Sequence, residues 1–159
     1  MPEAFVQGLN DNTRTKIIDL LNARLTDVQA LALAVKQAHW NLKGPGFIGV
    51  HELLDDVADR LREGVDTIAE RAVILGGTAR GTIEVIAAET TMEPYPVEGQ
   101  DIQMHVDALK ARFLDVGAKI RAAAEEADEI GDPDTEDLFV EISRALDKDA
   151  WFIGANGKQ

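Results

Sequence analysis

The chain contains no cysteine, which excludes a disulfide framework and any thiolate metal site. Aromatic residues make up only 5% of it, with a single tyrosine. Its apolar residues are mostly Leu, Ile, Val and Ala, a composition that suits helices. No apolar run approaches the ~20 residues of a membrane span; residues 28–35 come nearest, and Gln29 interrupts them. Met1 to Gln7 lack the basic stretch followed by an apolar one that marks a secretion signal. These absences point to a cytoplasmic protein with no membrane partner. Basic charge is also short, with 16 Lys and Arg against 29 Asp and Glu and a net charge of −13. Such a field attracts cations and repels polyanions such as DNA.

What is present suits one helical domain over residues 1–159, long enough to bury a substantial core. Residues 1–10 read as a short irregular segment. A first helix follows from Asp11–Thr13 to about Asn41, with Ile17, Leu21, Leu25, Val28, Ala32 and Val35 on one stripe and His39 next along it. A Gly44-Pro45-Gly46 turn folds it back into a second helix, from Phe47 to Leu75, which Gly76-Gly77 ends. Residues 78–100 form a long connector with a short helix around 81–88, after which Pro94 and Pro96 forbid helix. Two more helices follow, one from about Asp101 to Ala127 and one after Gly131-Asp132-Pro133 that runs to Ile153. Four long helices with one long crossover predict an all-α, ferritin-like four-helix bundle with a short extra helix between helices two and three.

The second helix carries the chemistry. His51, Asp55, Asp66 and Glu70 share roughly one 100° stripe, but the two pairs lie ~22 Å apart along the axis, so no one ion can touch both. The apolar face, with Phe47, Val50, Leu54, Leu61, Val65, Ile68 and Leu75, lies elsewhere on the helix. The acids therefore face water or another subunit. Position 51 mirrors 70, and 55 mirrors 66, about one centre near position 60. Two copies of this helix crossing there in an isologous dimer would place His51 and Asp55 of one against Glu70 and Asp66 of the other, twice over. Asp59 and Arg62 mirror each other about the same centre and would face across the axis. His39, just beyond the turn, lies at the same end as His51. Residues three before each histidine are Lys36, Ile48 and Ile102, so the Glu-x-x-His pairs of single-subunit di-iron sites are missing. Imidazoles and carboxylates without thiolate suit Fe(II), Mn(II) or Zn(II).

Lys36-Gln37-Ala38-His39-Trp40-Asn41, Phe47-Ile48, Val50-His51-Glu52, Leu54-Asp55 and the run Asp66 to Val73 closely resemble the Dps family of bacterial mini-ferritins. The likeness continues through Leu75-Gly76-Gly77, Tyr95-Pro96, Asp147-Lys148 and Trp151-Phe152-Ile153. The resemblance implies a hollow homododecamer with two-iron ferroxidase sites at its two-fold interfaces. It assigns His39, His51 and Asp55 of one subunit, with Asp66 and Glu70 of the two-fold partner, as ligands. It implies Fe2+ and hydrogen peroxide as substrates, a ferric mineral stored inside, and protection of DNA from oxidative damage. Zinc or manganese could occupy the same ligands in vitro. The resemblance also implies acidic pores that admit iron near the start of the fourth long helix. Asp132 and Asp137 are the better candidates by position, with Asp128 third, although capping also explains acids there.

Trp40 falls beside the site, where interface packing explains it at least as well as radical quenching. Trp151 reads as core and His105 as a surface residue. Two other functions compete with the ferroxidase: a nucleoid protein that coats DNA, and a metal-binding cage without redox turnover. Against the first, residues 1–10 contain no Lys or Arg and only Lys158 is basic after Ile153. DNA binding is therefore expected to be weak or absent.

Overall fold

A computed structural model describes residues 2–158, so Met1 and Gln159, the ends of the expected domain, lie outside the described residues. Five helices follow in order: α1 Asp11–Asn41, α2 Phe47–Ile74, α3 Ile83–Glu89, α4 Ile102–Ile130 and α5 Pro133–Gly154. The four long ones form a ring in which α1 packs on α2 and α4, and α5 packs on α4 and α2. The short α3 rests on α1. The expected bundle and its extra connector helix are both present.

The chain ends its helices by local chemistry. Side chains of Asn10, Thr82, Asp101 and Asp132 accept hydrogen bonds from backbone N–H groups three residues on, which satisfies orphan donors of the first turns. The third long helix runs past the expected Ala127 to Ile130, where Gly131 takes φ +97° and stops it. Leu21, Leu25, Val28, Leu54, Ile68, Leu109, Phe113, Ile120, Phe139 and Ile153 fill the interior. On α2, Val50, Leu54, Leu61 and Ile68 are buried as their stripe required, as is Leu75 just past its end. Val65 is half-buried and Phe47 stands at the rim, 37% exposed.

Two expectations fail here. Trp151 is 67% exposed rather than core. The buried stripe of α5 runs Phe139, Ile142, Leu146, Ala150 and Ile153, and Trp151 falls off it. His105 is buried rather than on the surface. Its Nε2 bonds the Gly99 carbonyl at 2.9 Å and its Nδ1 meets the Tyr95 hydroxyl at 2.7 Å. A carbonyl only accepts, so Nε2 carries the proton and Nδ1 accepts from Tyr95. The pair fastens the connector onto α4, and burial pushes the Tyr95 hydroxyl up to about 12.

Both ends of the described chain are tied down. The irregular segment before α1 runs along the end of α2, where the Phe5 N–H donates to the Ile74 carbonyl at 2.8 Å. Gly76, at φ +84°, leaves room for it: a Cβ there would stand 2.8 Å from the Pro2 carbonyl oxygen. At the other end, the Lys158 N–H donates to the Gln103 side chain at 3.0 Å.

Candidate metal centre

The Gly44-Pro45-Gly46 turn, with both glycines at positive φ, sets the end of α1 beside the start of α2. His39 and His51 then stack face to face, ring centroids 3.8 Å apart and planes 15° apart. Each ring reaches for the other residue's backbone. His39 Nδ1 lies 2.7 Å from the His51 carbonyl oxygen, and His51 Nδ1 lies 2.8 Å from that of His39. Because a carbonyl only accepts, both Nδ1 atoms carry the proton and donate. In the neutral rings each Nε2 is then left with a lone pair, the form in which imidazole binds a metal. Phe47 flanks His51 at 5.0 Å between centroids.

Asp55 lies one turn beyond His51, and its Oδ1 is 3.8 Å from His39 Nε2. The same oxygen accepts a hydrogen bond from Lys36 Nζ at 2.6 Å. That bond holds the Asp55 carboxyl below the usual carboxylate range, with the Lys36 charge adding to it. Lys36 is the residue that sequence reasoning passed over. Its position one turn before His39 was visible, but its bond to Asp55 joins two helices and has no local sequence signal. Nζ also stands 5.6 Å from the centroid of the Trp40 ring, four residues on, and Trp40 itself is 67% exposed.

His39, His51 and Asp55 are thus brought together by one chain, while Asp66 and Glu70 are not. These two are exposed on α2, farther along the same helix. Among the described residues, no group of three or more His, Cys, Asp and Glu in the single chain could hold a metal ion. What one chain brings together is a buried imidazole at His39, a half-buried one at His51 and the exposed Asp55 carboxylate. Asp59, expected to face Arg62 across a two-fold axis, pairs within its own chain with Arg62 at 3.2 Å.

The acids expected at the pore divide. Asp128 and Asp137 are exposed. Asp132 is buried and fully engaged. It accepts from Arg71 Nη2 at 2.8 and 2.9 Å, from the Thr135 hydroxyl at 2.6 Å and from the Thr135 N–H at 3.3 Å. Its place in this structure is that of the α5 cap, clasping the end of α2.

Comparison with known proteins gives this geometry a context. The family described as the ferritin-like domain matches residues 18–157. A DNA protection during starvation protein of Agrobacterium fabrum is 48% identical over 148 residues, 93% of this chain and 91% of that one. The solved structure of Mycobacterium smegmatis Dps in its tetragonal form superposes with a TM-score of 0.92 at 34% identity, covering 98% of this chain and 93% of that one. DpsA14 from Streptomyces coelicolor superposes with the same score at 38% identity, over 97% and 91%.

Proposed function

The chain belongs to the ferritin-like family, and within it to the Dps proteins; from that premise we propose that it is a ferroxidase. It takes Fe(II) as substrate, oxidises it with hydrogen peroxide and stores the ferric product inside a homododecamer. The observation that carries this reading is the reciprocal His39–His51 arrangement, which in the neutral rings leaves each Nε2 its lone pair, with that of His39 3.8 Å from the exposed Asp55. Nitrogen and carboxylate donors without sulfur suit Fe(II). A site with three donors from one chain is incomplete, and Asp66 and Glu70 of the partner subunit would complete it through the mirror relation about position 60. The exposed Trp40, Phe47 and Ile48 supply an apolar rim for that contact.

In the proposed reaction, two Fe(II) ions each give one electron to a single hydrogen peroxide, whose O–O bond breaks to leave two hydroxides. Drawing both electrons together avoids the one-electron cleavage that releases hydroxyl radical. His39, His51 and Asp55 hold the substrate ions, and the partner's acids close the site and neutralise charge as Fe(III) forms. Removal of Fe(II) and peroxide would protect DNA in the cytoplasm without contact.

Complementation tests the proposal. A His39→Ala/His51→Ala chain and an Asp66→Ala/Glu70→Ala chain are each expected to lose fast Fe(II) oxidation while remaining helical. Co-expressed, they form heterodimers in which one of the two sites has every ligand, and random pairing restores about a quarter of the native sites. Absence of any recovery in assembled mixed cages would refute the shared site. Equal oxidation with and without peroxide, in native cages, would refute the choice of oxidant.

A further inference from the structure

Lys36 stands where the proposed metal site should hold no cation of its own. Its side chain is 17% exposed, and its ammonium ends 2.6 Å from Asp55 Oδ1. That oxygen is also the one nearest His39 Nε2, at 3.8 Å. One lone-pair direction of the ligand oxygen is therefore taken, and a unit positive charge sits one ligand away from any incoming divalent ion. The ammonium is a compact point charge on a flexible stem. The ammonium already stands over a second partner, since the Trp40 ring lies 5.6 Å from Nζ and an indole face attracts a cation. The two partners differ in what they lose to a metal, because Asp55 can be a ligand and the indole cannot.

We propose that Lys36 is a tethered cation that clasps Asp55 while the site is empty and moves toward the Trp40 ring when a divalent metal takes the carboxylate. It acts through Asp55 and is a positioning residue. It keeps the ligand oriented, and it sets a threshold of affinity that the metal must exceed. The inference rests on the proposed metal site, and Zn2+, which has no redox chemistry, tests it apart from oxidation. In water-like screening, a unit charge this near a divalent ion changes affinity on the order of tenfold.

The experiment uses assembled protein carrying Trp151→Phe, so that Trp40 is the only indole. Zn2+ is titrated at low salt by calorimetry and by tryptophan fluorescence. Lys36→Met is expected to bind Zn2+ about tenfold tighter than the parent. It is also expected to lose the fluorescence change that Zn2+ produces in the parent. Lys36→Gln serves as the second neutral variant should the Met side chain disturb assembly, and it should move both readouts the same way. Unchanged or weaker Zn2+ binding in the assembled neutral variants would overturn the role of Lys36 while leaving the site intact. Parent protein that binds Zn2+ no better than a His51→Ala variant would overturn the site itself, and this inference with it.

Discussion

Replacing Asp132 with alanine separates two roles for one acid, a buried cap and the lining of a pore. The substitution removes the α5 cap, which costs about 1 kcal/mol. It also strips Arg71, whose side chain is only 12% exposed, of its bidentate partner. Removing one half of a buried ion pair costs about 3–5 kcal/mol, because the other charge stays buried. Arg71 would keep its Nε bond to the Thr135 hydroxyl at 3.0 Å. The exposed Asp134 carboxylate, 3.9 Å away, could turn toward it. The low end of the range is therefore expected, about 3–4 kcal/mol in all. For a chain of this size, each kcal/mol moves the midpoint by about 2–4 °C, so the melting temperature should fall by about 6–16 °C. The assay is thermal unfolding followed by circular dichroism, at one protein concentration, beside Asp137→Ala. That exposed residue should change stability by no more than about 0.5 kcal/mol. An Asp132→Ala protein that melts within about 2 °C of native yet takes up iron slowly would refute the structural role and return Asp132 to the pore.

Other predictions follow from the same contacts. Plasmid should run unretarded at micromolar protein, neutral pH, moderate salt and no added divalent metal; a retarded band would sink the claim that protection needs no stable DNA complex. The lone tyrosine should show no phenolate absorption in the folded protein until the pH nears 12. The unfolded phenol ionises near pH 10, so the folded state should lose stability between about pH 10 and 12 as the unfolded chain gives up that proton. Tyr95→Phe should remove that part of the alkaline decline, and an unchanged alkaline profile would count against it.

Helix boundaries and the hairpin that unites His39 with His51 were legible because spacing and turn residues are local signals. The mirror relation of 51 with 70 and 55 with 66 needs only the helical repeat, and the contact it implies stays an expectation for the two-fold pair. Lys36 bridging to Asp55 was not, because the bond joins residues 19 apart across a helix pair whose rotation the sequence does not specify. His105 was misjudged since its partners, Tyr95 and Gly99, sit in a connector with no periodicity to place them. Trp151 shows the opposite error, in which residue type outweighed spacing. Asp132 lay between the two, for the sequence allowed both cap and pore, and only its contacts with Arg71 and Thr135 assign it the cap.

The paired histidines have one more consequence, for what substitution can do to them. Each imidazole is aimed by a main-chain oxygen and not by the other imidazole. Alanine at 39 keeps the oxygen that orients His51, and alanine at 51 keeps the one that orients His39. Either ring can thus be lost by point mutation while the survivor keeps its orienting hydrogen bond, though it loses its stacked partner. Only a change that shifts the two backbones, such as an insertion in the glycine-proline turn, disarms both at once.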